Sequence, residues 1–268
     1  MIKNLLGIPS GFFKESTKEK WQSALEAGLT EVELNLKGVS VDDILLNRAT
    51  EIYTMLVESG LNISSCHLPN GDLWDISMLD EIKCSSIIKN IKNIIDWAAS
   101  KNIGIAVIHG SAEPIKDDER SARLTKSADS IKELGMYAKE RGIILAVENL
   151  PRTSLGNYAE DMLVLTDNGK SASICFDVNH LFTETHQDFY EKVAPHIATT
   201  HLSDYDGVGS QHWLPGDGCI DWAEIVRMFE KFNYNGRYIF ETKETYSPKL
   251  NRAFSPVELV ERFTSVIK

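Results

Sequence analysis

The sequence predicts an α/β fold, a single (β/α)8 TIM barrel, and three observations carry that expectation. Short apolar runs alternate with helical patterns about eight times along the chain, with no linker and no low-complexity segment between them. The runs are nearly continuous in apolar and β-branched residues, as in IILAVE at 143–148 and IAVI at 105–108, which is the pattern of strands covered on both faces in a parallel sheet. A chain of 268 residues with 43% hydrophobic content can bury a large core, and barrels of this class commonly form one domain of about 250 residues. Residues 1–268 are therefore read as one domain.

Each element follows from local pattern. Asn4 to Ile8 is the first strand, after which Ser16 and Thr17 cap a helix through Trp21, Leu25 and Ala27 to Gly28. The second strand runs from Glu31 to Leu36, where Val32, Leu34 and Leu36 alternate with Glu33 and Asn35, so one set faces the barrel centre. Asp42 opens a helix through Gly60, and Leu61 to His67 is the third strand. A long loop, LPNGDLWDIS, precedes a helix from about Met78 to Ser100. Next come strand Ile103 to His109, a helix from about Asp117 to Arg141, and strand Ile143 to Glu148, with Gly142 placed as a helix C-cap. The pattern closes with helix 157–168, strand Ser173 to Asp177, helix 187–194, strand Ile197 to Leu202, helix 221–232, strand Arg237 to Glu241 and a last helix from Ser255.

Composition narrows the function classes. Lys and Arg number 28 against 39 Asp and Glu, a net charge of −11, and no Lys/Arg-rich block provides a basic footprint, so nucleic acid is not the expected partner. The start, MIKNLLGIPSG, has one Lys and too short an apolar stretch for a signal-peptide core, and no run approaches the ~20 residues of a membrane helix. A cytoplasmic protein without membrane attachment is expected. Cys66, Cys84, Cys175 and Cys219 are scattered, with no CxxC pair, and read as reduced small hydrophobes.

Ligand-type residues end the apolar runs. His67 follows LNISSC, His109 follows IAVI, Glu148 follows IILAV, Asp177 follows SASICF, His201 sits near the end of IATTHL, and Glu241 follows RYIF. In a barrel of this type the loops after the strands gather at one mouth, where the active site lies. Glu148, Asp177, His201 and Glu241 come from four successive strands and converge there. Three carboxylates held together would repel one another and raise their pKa values, a cost that a divalent cation removes.

Glu148, Asp177 followed by His180, His201 within HLSD, the segment HWLPGDGCIDW and Glu241 together resemble the xylose isomerase-like barrel superfamily, in particular its sugar phosphate isomerase/epimerase branch. The resemblance covers nearly the whole chain. It implies one divalent ion, often manganese, held by Glu148, Asp177, His201 and Glu241; oxygen-rich ligation with one imidazole also suits Mg2+ or Co2+, and Zn2+ stays open. The implied reaction moves a proton next to a carbonyl through a metal-stabilised enediolate, with Glu148 and Glu241 as the acid/base pair. Related epimerases carry an Arg shortly after the metal His, whereas LSDYDGVGSQH has none. The expected partner is a small-molecule carbohydrate, phosphorylated or not, and homo-oligomerisation is left open.

Further residues are candidates for the pocket. His180 follows Asp177 by three residues and is placed to reach a substrate hydroxyl or to support the metal site. His67, His109 and His212 are read as substrate-binding, with a second metal at His67 and His109 as the alternative. Trp74 and Trp213 are candidates to cover a sugar face, and Lys243 and Arg152 to hold an anionic group. The turn Gly216-Asp217-Gly218 has amides suited to phosphate. The runner-up function is that of endonuclease IV-type zinc phosphodiesterases acting on abasic DNA, whose zinc sites His67, His109, Glu148, Asp177, His201, Glu241, His180 and His212 would nearly complete; Ser210 stands where the third zinc needs an Asp. A same-fold dehydratase or hydroxypyruvate-type isomerase would use the same metal and bases. A sugar-binding barrel without activity is disfavoured by the presence of both glutamates.

Overall fold

The computed structural model of the protein describes residues 5–36 and 43–268. The expected first residue of the first strand, Asn4, and the expected opening of the second helix, Asp42, lie outside them. Eight parallel strands close in sequence order into a barrel: β1 (Leu6–Pro9), β2 (Leu29–Asn35), β3 (Asn62–His67), β4 (Ile105–His109), β5 (Ile144–Glu148), β6 (Ser173–Asp177), β7 (Ile197–His201) and β8 (Tyr238–Ile239). Closure is made by β1 against β8, with Leu6 opposite Tyr238 and Gly7 opposite Ile239. The helices are α1 (Lys18–Glu26), α2 (Asp43–Glu58), α3 (Glu81–Ser100), α4 (Asp117–Lys139), α5 (Ala159–Leu165), α6 (His186–Val193), α7 (Trp222–Lys231) and α8 (Pro256–Val266).

Capping side chains decide where several helices begin. Thr17, Asp80, Thr185 and Asp221 each accept a hydrogen bond from a first-turn amide, and Ser255 forms a reciprocal capping box with Glu258. Asp80 is why α3 starts at Glu81 rather than near Met78. Gly142 takes φ +73 in the turn after α4, where a side chain would be strained. Strands β4 and β5 start one or two residues later than the apolar runs, because Ile103 and Ile143 donate their amides to Ala98 and Ala138 and belong to the helix-ending turns. The last strand is also shorter than expected. The Phe240 amide still bonds to Gly7, but Thr242 N–H turns back to the Phe240 carbonyl, so Glu241 lies just past β8.

Two apolar layers follow from strand alternation. Ala106, Ile108, Leu145, Val147, Ile174 and Phe176 join the large core between sheet and helices. Their neighbours Ile105, Val107, Ala146 and Cys175 form a separate cluster, the plug inside the barrel. That plug is the floor of the site above it.

Candidate metal centre

A strand repeats its side-chain direction every two residues, so the residue two places after each plug residue also points inward, one layer nearer the mouth. Val107 leads to His109, Ala146 to Glu148 and Cys175 to Asp177; β7 sets His201 opposite Asp177, and β3 sets His67 opposite Val107, one step lower. Glu148 sits at the centre, 1% exposed. Its Oε2 lies 3.0 Å from His67 Nε2 and 2.9 Å from His109 Nε2, and its Oε1 lies 3.1 Å from His201 Nδ1. His201 Nδ1 is also 3.1 Å from Glu241 Oε2. Two groups of donor atoms result, each within 4.8 Å: Glu148, Asp177, His201 and Glu241, and, sharing Glu148, His67 with His109.

The ring orientations fit a cation. His201 Nε2 is 2.9 Å from Glu33 Oε1, which only accepts, so Nε2 carries a proton and a neutral ring turns the Nδ1 lone pair toward Glu148 and Glu241. In the same way His67 Nδ1–H donates to the Leu68 carbonyl at 2.8 Å, leaving Nε2 to face Glu148. Acceptors then face acceptors at hydrogen-bond distance, which requires either extra protons or a metal. Without metal the protons do it. Burial opposes a charged His201, but Cys175, Glu33, Glu241 and Glu148 outweigh it and raise its pKa well above the ordinary imidazole value. Burial also pushes Glu148 upward, yet His201 and His109 hold it well below the carboxylate range. Asp177 is driven well upward by burial and by Glu241 and Glu148, and its buried Oδ2 accepts no hydrogen bond. Three carboxylates and one imidazole make an oxygen-rich donor set suited to Mn2+, Mg2+ or Co2+.

Support around the ligands comes from residues that sequence reasoning did not single out. Asn149 grips the Asp177 backbone twice, accepting from its N–H at 2.7 Å and donating to its carbonyl at 2.9 Å. Glu33, on β2, holds His201 and is itself held by Ser65 Oγ at 2.8 Å. The signal for Glu33 was a carboxylate alternating with Val32 and Leu34 in a strand of a closed barrel. Asp204, fully buried, accepts from the amides of Tyr205, Gly216 and Ile220 and from Trp222 Nε1, which pins the loop carrying Ser210 and His212. Gly218 is needed in that loop, because a Cβ there would lie 2.0 Å from the Tyr205 carbonyl oxygen.

Comparison with known proteins is decisive for the family. The sequence profile described as xylose isomerase-like TIM barrel matches residues 21–261. The chain belongs to that family. A fructoselysine 3-epimerase of Shigella flexneri is 24% identical over 208 residues, covering 74% of this chain and 73% of that protein. An inosose dehydratase of Bacillus cereus is 26% identical over 139 residues, 44% of this chain and 47% of the other. Among solved structures, a D-tagatose 3-epimerase-like protein superposes with a TM-score of 0.78 at 20% identity, covering 98% of this chain and 97% of that one.

In this xylose isomerase-like barrel a polar cavity of about 270 Å³ opens above the centre, and Glu148, Glu241, His109, His180 and His212 line it. Asn70, Asp72, Ser111, Glu113, Arg152 and Ser154 complete much of its wall. His67 is buried beneath, 1% exposed. His180 is buried and pushed down to about 4 by loss of solvent; its Nδ1–H donates to the Asn149 carbonyl at 2.9 Å and its Nε2 lies 3.2 Å from Ser210 Oγ. The same hydroxyl is 3.1 Å from His212 Nε2. Trp74 sits in a 3-10 turn (Asp72–Trp74) and packs on the apolar core, so the cavity wall takes its neighbours Gly71 and Asp72 instead. Lys243 turns to Tyr246, 3.2 Å from its hydroxyl and 5.0 Å from its ring centroid. Trp213 pairs its backbone with Asp204 rather than lining this cavity. Arg152 does line it and is paired with Glu113. The Gly216 amide is used internally by Asp204, and Asp217 by Ser247 and Arg262, which makes that turn a structural one. No helix among the described residues is long and apolar enough to cross a membrane.

Proposed function

We propose that the protein is a divalent-metal-dependent sugar isomerase or epimerase that moves a proton on a carbon next to a carbonyl, with Glu148 and Glu241 as the acid/base pair. One observation carries this reading. Of the four ligand-type residues, Asp177 and His201 are fully buried, whereas Glu148 and Glu241 form part of the cavity wall. On this reading the first two hold the ion and the second two touch both ion and substrate. When bound, the cation, Mn2+ by preference for this donor set, would stabilise negative charge developing on substrate oxygens. Glu148 and Glu241 remove and return the proton; the plug of Ile105, Val107, Ala146 and Cys175 closes the floor of the site. His109, His180 and His212, which line the cavity, bind substrate hydroxyls, and a wall rich in Ser and carboxylate, with Asn70, suits a polyhydroxylated molecule.

Glutamine variants test the proposal. Glu148→Gln and Glu241→Gln keep an oxygen that ligates weakly, but an amide does not accept the substrate proton at neutral pH. Turnover on a substrate found by screening ketoses, ketose phosphates and hydroxy-keto acids for hydrogen exchange in D2O is expected to fall by about 100-fold or more. Near-wild-type turnover in both variants, with metal occupancy confirmed, overturns the assignment. The same pair would serve a dehydratase, the activity named for the Bacillus cereus relative, and loss of water from the product separates the two. The phosphodiesterase reading is weaker, because the hydroxyl of Ser210 occupies the place between His180 and His212 where a third zinc needs a carboxylate.

A further inference from the structure

We infer that Glu33 is a positioning residue for the metal centre: it fixes which nitrogen of His201 faces the ion, and Ser65 fixes Glu33. The inference rests on the metal reading above. Glu33 comes from the opposite part of the chain, 168 positions before His201, and is 1% exposed. Both of its oxygens are directed. Oε2 accepts from Ser65 Oγ–H at 2.8 Å, across the register pair Glu33 and Ser65 of β2 and β3, and Oε1 accepts from His201 Nε2–H at 2.9 Å. With its carboxylate anchored on one side, the ring has one way to satisfy Nε2, and Nδ1 is left 3.1 Å from both Glu148 Oε1 and Glu241 Oε2.

The other inward glutamate of β2 shows that this is not a generic barrel interior. Glu31, two residues earlier, is bound by Asn62 Nδ2 and forms an ion pair with Arg237 Nε at 2.7 Å, a contact that needs no ligand. Glu33 meets the imidazole of a metal-ligand candidate instead. A carboxylate on the far nitrogen of a ligating histidine fixes the tautomer, orients the ring and makes the near nitrogen a stronger donor. A neutral amide would fill the same space and keep the hydrogen bond without the charge. A leucine would fill it with neither.

Those two substitutions separate positioning from packing. The protein is stripped with a chelator and titrated with Zn2+, whose complex is diamagnetic, and the histidine rings are labelled with 15N. In the loaded wild type the His201 Nε2–H is expected as a downfield, exchange-protected signal, assigned by its absence in His201→Asn. Glu33→Leu is expected to lose that signal and about 10–100-fold in Zn2+ affinity, while Glu33→Gln keeps the signal and loses less than about ten-fold. Ser65→Ala, which frees the carboxylate to rotate, is expected to weaken Zn2+ binding about three-fold. If Glu33→Leu fails to fold, Glu33→Gln and Ser65→Ala carry the test. Affinities within about two-fold of wild type in every folded Glu33 and Ser65 variant overturn the inference and leave the metal reading intact. Failure of the wild type to bind any divalent cation overturns both, which is a different result.

Discussion

Glu148 addresses two sets of partners, one with each carboxylate oxygen, and that division makes the centre sensitive to single substitutions. Asp177 offers a buried Oδ2 that accepts no hydrogen bond and lies 3.2 Å from His180 Nδ1, while its Oδ1 accepts from the Asn179 N–H at 2.7 Å, so its removal subtracts a ligand together with the cap of the turn that carries His180. Asp177→Ala is expected to lower divalent-metal affinity by more than about ten-fold, read by titration of the chelator-stripped protein; unchanged affinity would remove Asp177 from the site. His180 gives a pH prediction for the metal-free protein. Loss of solvent lowers its folded pKa to about 4, below the 6.5 of an unperturbed ring. The unfolded chain therefore takes up the proton first as pH falls, and the folded state loses stability from about pH 6.5 down to about pH 4. His180→Gln removes that loss. Between pH 7 and 5 its urea-unfolding free energy should decline less than that of wild type, by on the order of 1–2 kcal/mol; parallel declines would mean that the ring is protonated in the fold.

At the scale of elements, the loop between β7 and α7 depends on one carboxylate. Asp204 accepts four hydrogen bonds from that loop and from Trp222, and its backbone pairs with Trp213. Without it those donors are buried and unmet. Asp204→Ala is expected to cost at least about 3 kcal/mol in unfolding free energy and to admit protease cleavage between residues 205 and 221. A loss below about 1 kcal/mol would mean that the loop is held by its apolar contacts. Because the loop carries Ser210 and His212 to the cavity, its order and the cavity wall are one property.

For the whole molecule, the closed barrel links metal binding to folding. The ligands come from strands spread over the second half of the chain, and the unfolded chain does not gather them, so an ion bound only by the native state stabilises it. Mn2+ at about 100 times its dissociation constant is expected to add about 2.7 kcal/mol, and in a domain of this size to raise Tm by roughly 5–10 °C. A thermal scan with and without the ion checks this, and Asp177→Ala should abolish most of the shift. An equal Tm in both scans would argue against a site formed by these strands.

By itself the sequence determined the alternation of strand and helix and the identity of five strand-end residues and of Glu241 just past the last strand. Covered strands read as apolar runs, and in a parallel barrel every run ends at the same mouth, so position in the run was enough to place His67, His109, Glu148, Asp177, His201 and Glu241 there. The family resemblance was legible for the same reason, since it rests on the order of those residues. Only the tertiary structure decided how they face one another. The bond from Glu33 to His201 spans 168 residues and depends on the register of β2 and on closure of the barrel, neither of which local pattern contains. Position in the chain puts Trp74 and Lys243 at the mouth, but Trp74 packs on the core from its 3-10 turn and Lys243 meets Tyr246. Local pattern carries the phase of a side chain along its own strand; partners around a closed barrel are set by register and rotamer, and these exist only once the strands have met.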